Sequence, residues 1–352
     1  MKSMKQITII IQLLVLLAAS NAFAQSRVGT TAAPFLTMGV GAKGAALGHA
    51  NTVGSTGAEA LYWNPAGISL ENEVGAANAG FISINDMFIG VSAYASGLVF
   101  PVGDKDSGKS FGFGVNFVDY GRQDVRTVAQ PEGIGSTFGA HDLSMGLTYA
   151  QNLTENFHFG GTVKFIQQKI YDMSAETFAV DLGFVLKTSY FNGLNIGASI
   201  SNFGGKMQMD GVNSEYFLDI DPLSEGNNED IPARVYMDKW DLPLSFKVGV
   251  TLPAIKTDNL ELLLLSEVQQ TNDNDLNVDS GSQLSYLTNT VKFHARAGYK
   301  DLLLENKVDS HFTYGAGFTL QTSTGMAIGI DFAQVPYEYL GQTTMIDLKL
   351  YF

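Results

Sequence analysis

The sequence predicts an all-β protein, a transmembrane antiparallel β-barrel with a small N-terminal plug in its lumen. Three observations predict it. The last strand, Thr344 to Phe352, places Ile346, Leu348, Leu350 and Phe352 on one face and Asp347, Lys349 and Tyr351 on the other. A period of two sends successive side chains to opposite faces of a sheet, and an apolar face backed by a polar one suits lipid outside and water inside. That alternation recurs along the chain. The N-terminus carries the marks of export: Lys2 and Lys5, an apolar run from Ile7 to Ala19, and the cleavage pattern Ala22-Phe23-Ala24.

Residues 1–24 therefore read as a signal peptide, with the mature chain starting at Gln25. Beyond it no apolar stretch approaches the length of a membrane helix, so a membrane-spanning form must be a barrel. The sequence contains no cysteine, which excludes disulfides, Cys-bound metal and a lipoprotein anchor. The formal net charge is −14, and it becomes more negative once Lys2 and Lys5 leave. So acidic a chain argues against nucleic acid as a partner. Gly at 38 residues, with 23 Phe and 14 Tyr, matches many short strands rather than a helical core.

Residues 25–75 differ in pattern from the rest of the mature chain. The stretch from Pro34 to Leu70 is rich in Gly and Ala and lacks alternation. Ala58 to Trp63 is expected to form a short helical turn stopped by Pro65, because a proline disfavours the α conformation in the residue before it. Small residues let a plug approach strand backbones closely, so this segment is read as the filling of a barrel formed by residues 76–352. Gly39, Gly41 and Gly44 match G-x-G-x-x-G, with Glu59 twenty residues after Gly39. No strand–turn–helix context surrounds them, so close packing is a better reading than dinucleotide binding.

The strands come in order along the chain. The first is expected near 87–100. Phe111, Phe113, Val115 and Phe117 alternate with glycines and Asn116, and Leu143, Met145, Leu147 and Tyr149 oppose Asp142, Ser144 and Thr148. Phe157 to Phe165 and Phe178 to Leu186 repeat the pattern against His158, Lys164 and Asp181. Val291, Phe293, Ala295, Ala297 and Tyr299 oppose Lys292, His294, Arg296 and Lys300. Further strands fall near 194–204, 243–252, 259–270, 310–320 and 325–334. A soluble β-sandwich also alternates, but over shorter strands. In the last strand, Leu348 should face lipid, and Lys349 should face the lumen and tolerate replacement by alanine.

Two stretches read as loops. The stretch 205–242 holds nine acidic residues against Lys206, Arg234 and Lys239. The stretch 271–288 includes Asp273, Asp275, Asn277 and Asp279, whose alternate spacing suggests a calcium loop. Val278 stands where such a loop needs glycine, so a solvated acidic loop is expected instead and no metal or other cofactor is assigned. Long outward loops are candidates for partner contact. The five histidines, His49, His141, His158, His294 and His311, show no spacing that demands a catalytic triad, and no enzyme activity is expected.

The plug segment also carries a resemblance. Gly39-Val40-Gly41-Ala42-Lys43-Gly44-Ala45-Ala46-Leu47-Gly48, then Ala60-Leu61-Tyr62 and the block Trp63-Asn64-Pro65-Ala66-Gly67, resembles the N-terminal signature of the PorV/PorQ family. The likeness continues through Leu143 to Ala150, Asp181-Leu182-Gly183, Ser201 to Gly204 and Arg296 to Tyr299. The wider group is similar to the FadL long-chain fatty acid transporters, which implies about fourteen strands and an N-terminal hatch bearing the Asn-Pro-Ala block. The resemblance implies an outer-membrane location in contact with lipid, and a non-enzymatic part in type IX-like protein secretion or surface attachment. A larger secretion barrel and exported protein cargo would be its partners. The alternative it implies is transport of hydrophobic small molecules, for which Phe35, Leu36, Leu61 and Tyr62 would line the site. A terminal strand ending in Phe352 also resembles the signal that outer-membrane barrels show to their assembly machinery.

Overall fold

The computed structural model describes residues 29–70, 74–76, 78–103, 108–221, 223, 230–303, 311–322, 325–337 and 341–352. The expected signal peptide, and Glu225 and Glu229 of the acidic loop, lie outside them. Fourteen strands form the barrel: β1 (Ala79–Asp86), β2 (Ser92–Pro101), β3 (Lys109–Asp124), β4 (Thr137–Thr154), β5 (Phe157–Ile170), β6 (Met173–Lys187) and β7 (Asn195–Gly204), then β8 (Ser245–Lys256), β9 (Leu260–Thr271), β10 (Asn277–Leu287), β11 (Val291–Tyr299), β12 (Phe312–Gln321), β13 (Ala327–Tyr337) and β14 (Gly341–Tyr351). Each strand pairs antiparallel with the next, and β14 returns to β1 with Leu348 opposite Ile82. Closure leaves no free sheet edge, the condition for a sheet in lipid. No helix among the described residues is long and apolar enough to cross a membrane.

The faces follow the alternation. Ile82, Leu147, Val163, Phe293 and Leu348 are exposed on the outer wall, while Thr148, Thr162, Asp181, Arg296 and Lys349 are buried inside. One end of the barrel has short turns: only Glu155 and Asn156 separate β4 from β5, and the β8–β9 and β10–β11 links are nearly as tight. The other end carries the longer connections 125–136 and 205–244. Within 205–244, Asp210–Gly211 pairs with the start of β6, and Glu215–Leu218 pairs antiparallel with Ile231–Arg234 as a separate hairpin.

Two strands depart from the sequence reading. Residues 79–86 form β1, and 87–91 is the hairpin to β2 rather than part of a first strand. The apolar pair Phe81 and Ile82 hides the period: Phe81 packs inward on the plug while Ile82 faces out. Residues 277–287 form β10 rather than a solvated loop. Its outward face carries Ser280 and Ser282 beside Leu284 and Tyr286, which blurs the apolar alternation.

Candidate functional site

The plug fills the lumen from the long-loop end to the short-turn end. Near the long loops, the Ala32 N–H donates to Asp241 and the Thr31 hydroxyl to Asp273 at 2.8 Å. The 3₁₀ turn Pro34–Thr37 comes next, then a single α-helical turn, α1 (Ala42–Ala46), against β12 and β13. The chain continues through Gly57–Glu59, α2 (Ala60–Trp63) and the 3₁₀ turn Pro65–Ser69, which packs on β4, β5 and β6.

Wall glycines make this docking possible. A Cβ on Gly160 would lie 2.5 Å from the Pro65 carbonyl carbon, and one on Gly281 would lie 2.5 Å from the Leu47 oxygen. Plug backbone therefore rests directly on strand backbone at these positions, which only glycine allows. The Trp63–Gly67 block sits at this seam. Asn64 Oδ1 accepts from the Ala66 N–H at 3.1 Å, and its Nδ2 donates to the Phe184 carbonyl of β6 at 3.2 Å. One side chain thus caps the 3₁₀ turn and ties it to the wall. Trp63 Nε1 donates to Val40 at 2.9 Å, joining the two halves of the plug, while its indole leaves Gly44 no room for a side chain.

A buried ion cluster couples plug to wall. Lys349 of β14 lies 3.0 Å from Glu59 of the plug and 2.8 Å from Asp331 of β13. Arg296 pairs with the other Asp331 oxygen and donates from Nε to Gln283 at 2.6 Å. Asn51 donates to Glu59 at 2.9 Å, with Lys43 at 3.9 Å. Asp347 accepts from the Ala42 N–H at 2.6 Å, and Glu267 accepts from the Thr52 N–H at 2.9 Å. Lys349 does face the lumen, but it is not a replaceable polar residue. It neutralises two buried carboxylates, one on each body, and removing one partner of such a set is costly. Glu59 takes its place here rather than beside a ribose.

The four expected lining residues do not share one pocket. Phe35 is fully buried with Val118, Ile166 and Met207 near the long loops. Leu61 belongs to a different cluster with Ile68, Val99 and Phe81. The Tyr62 hydroxyl donates to the Val115 carbonyl at 2.8 Å. Burial raises the phenol pKa far above its usual value, so this hydroxyl stays protonated and donates. Leu36, Leu61 and Tyr62 do meet, around a recess of about 60 Å³.

A larger cavity of about 280 Å³ opens beside it, toward the long loops. Its lining is mostly polar: His49, Tyr62 and Trp63 from the plug, and Lys164, Lys247, Asp279 and Lys300 among those from the wall. Lys164 pairs with Asp181 at 2.8 Å; Lys247 pairs with Glu267 at 3.3 Å and lies 4.9 Å above the Trp63 ring. His49 is held neutral, its pKa lowered to about 3 by burial and then by Lys300 and Lys247. Asn277 and Asp279, expected from the sequence in a solvated loop, are buried at this cavity, where Asp279 accepts from the Asp301 N–H at 2.8 Å. Among the described residues no three His, Cys, Asp or Glu side chains are grouped to hold a metal. Two serine–histidine contacts escaped the sequence reading, Ser285 to His294 at 2.9 Å and Ser69 to His158 at 3.1 Å. Both engage Nδ1 across residues far apart in the chain or on separate strands, so no local motif announces them.

A model of the type IX secretion system protein PorV matches residues 21–230. That stretch holds the plug, the Trp63–Gly67 block, seven strands and most of the long loop. The chain belongs to the PorV family. It is thus an outer-membrane barrel of a secretion family. Among solved structures it is similar to the CymD monoaromatic hydrocarbon channel, at 11% identity and TM-score 0.55 over 89% of this chain and 96% of that one. The toluene transporter TbuX of Ralstonia pickettii gives 12% and 0.52 over 89% and 97%, and a FadL homologue of Pseudomonas aeruginosa 12% and 0.50 over 93% and 99%. Identities this low establish a shared FadL-type fold and nothing finer. No curated protein sequence matches.

Proposed function

We propose that this PorV-family barrel is a non-enzymatic component of type IX-like protein secretion or surface attachment, and that it acts through its long outer loop. The carrying observation is the composition of that loop. Outside the barrel, Phe217 and Tyr236 are 72% and 81% exposed, with Val212, Ile220 and Tyr216 also uncovered. Apolar side chains exposed on and beside a hairpin suit burial against a partner protein. The acidic surroundings favour a partner with a basic rim, and a larger secretion barrel holding exported cargo is the proposed partner. Phe352, exposed at the end of β14, is the proposed contact for the assembly machinery.

Transport of hydrophobic molecules finds support in the FadL-type fold but less in the lumen. Apolar ligands of drug size occupy roughly 300–1,000 Å³. Here the recess beside Leu36, Leu61 and Tyr62 is about 60 Å³, and the cavities of about 280 Å³ near the long loops and about 320 Å³ beside Ile68, His158 and Lys187 are both mostly polar. The Trp63–Gly67 block is accordingly proposed to anchor the plug rather than to bind a ligand. The test is co-purification from mildly solubilised outer membranes of the native host. The parent chain should recover a larger barrel and exported protein, and Phe217→Asp with Tyr236→Asp should lose both while assembling normally. Recovery of neither by the parent, or uptake of a long-chain fatty acid that depends on the chain, would overturn the secretion reading.

A further inference from the structure

The outer cavity holds one group that neither the plug docking nor the long loop accounts for. Lys300, at the end of β11, is only 6% exposed. Its ammonium lies 4.5 Å from the centre of the Tyr337 ring, and among the described residues no carboxylate or hydrogen-bond acceptor meets it. The other cavity lysines differ: Lys164 is paired with Asp181 and Lys247 with Glu267. A buried ammonium that meets only a ring face among the described residues is costly, since an aromatic contact offsets only part of its lost hydration. The neighbouring Asp301 is committed elsewhere: its N–H donates to Asp279 and its carboxylate accepts from Asn277 at 2.6 Å.

We infer that Lys300 is the anion-recognising group of a small-molecule site in the outer cavity, and that the ligand is a small zwitterion of the amino-acid class. The carboxylate of such a molecule would supply the missing acceptor at Lys300. The remainder of the lining selects what is attached to it. Asp273, Asp275 and Asp279 line the same cavity, which favours an ammonium group and disfavours a second negative charge. Neutral His49 and the Tyr62 and Trp63 side chains form the plug side, so the ligand would rest on the plug as well as on the wall. Leu36, Met38 and Val40 give the cavity a small apolar part, but its lining is mostly polar and favours a small polar ligand over an acyl chain. The inference does not depend on the secretion reading, because it rests on the cavity alone.

Trp63 lines the cavity and supplies the readout. The chain has two tryptophans, so Trp240→Phe leaves Trp63 as the sole fluorescent reporter. That protein, purified in detergent, is titrated with glycine, with sodium acetate and with sodium chloride at matched ionic strength. The expected result is a saturable change with glycine, weaker with acetate and absent with chloride. In a Lys300→Met background the glycine affinity should fall about tenfold or more, the loss of one charge-assisted hydrogen bond. Far-UV circular dichroism and heat-modifiable migration should match the parent, which separates lost recognition from lost folding. No saturable change with glycine, an equal change with chloride, or unchanged affinity in Lys300→Met would each overturn the inference. If Lys300→Met fails to assemble, Lys300→Arg decides: it retains the cation and must retain glycine binding.

Discussion

Replacing Lys349 with methionine tests whether the ion cluster locks plug to barrel. Methionine keeps most of the side-chain volume and removes only the ammonium. Asp331 then retains Arg296, but Glu59 retains only Asn51 at 2.9 Å and Lys43 at 3.9 Å. Both carboxylates stay buried, so the expected loss is about 3–5 kcal/mol, the usual cost of removing one partner from a buried pair. Adding Glu59→Gln removes the stranded charge, so the double variant should recover part of the loss, with a coupling of roughly 0.5–3 kcal/mol. The measurement is the guanidinium midpoint of protein refolded into vesicles, read alongside leakage of a small hydrophilic dye. Because Glu59 is on the plug and Lys349 on the wall, leakage should rise in the single variant before the barrel unfolds. A Lys349→Met midpoint within about 0.5 kcal/mol of the parent, or strictly additive single and double variants, would refute the coupling.

Three further outcomes are expected. Gly160→Ala should cost about 1–3 kcal/mol by overpacking and raise dye leakage, because its Cβ would press on Pro65; Gly161→Ala, whose Cβ would meet Leu182 at an ordinary 3.4 Å, should be close to neutral. Equal effects would contradict the docking seam. Leu348→Arg, one residue from Lys349 but facing lipid, should cost roughly 2–4 kcal/mol at the membrane midplane and reduce assembled barrel on a semi-native gel. His49 is held neutral with a pKa near 3 against an ordinary 6.5, so the unfolded chain binds the extra proton first. Its contribution is full above pH 6.5 and is lost as pH falls from about 6.5 toward 3. His49→Gln should flatten that part of the stability–pH curve, and an unchanged slope would remove His49 as its source.

What the sequence made legible was local. Alternation from Val291 to Lys300 gave both faces of β11 correctly because each outward residue is apolar or small and each inward one is polar except Gly298, which the plug backbone touches. It failed at β1 and β10 for opposite reasons. Phe81 is apolar on the inner face because a plug covers it, and Ser280 and Ser282 are polar on the outer face, where Ser266 Oγ lies 3.2 Å from Ser280 Oγ and the Ser282 hydroxyl faces the Ala297 carbonyl. The small-residue content of 34–70 announced close packing, but not its partners. Glu59 and Lys349 lie 290 positions apart, and no local pattern connects them. Asn64 was legible as part of a motif, whereas its bond to β6 needed the fold.

The same long-range contacts constrain what the barrel can do. A continuous passage through this lumen would require the plug to leave contacts that are individually expensive. Glu59 would lose Lys349, Asp347 and Glu267 would lose the Ala42 and Thr52 amides, and Asn64 would leave the Phe184 carbonyl of β6. Each break strands a buried charge or polar group inside the wall, at about 1–3 kcal/mol for a neutral group and more for a charge. The hairpin between β7 and β8 is different: its ion pairs, Arg234 with Asp210 and with Glu215, are solvent-exposed and therefore weak. Rearrangement is cheap in that loop and costly in the lumen. That difference in cost is what the proposed reading requires: a barrel that engages a partner through its long loop while its plug stays seated.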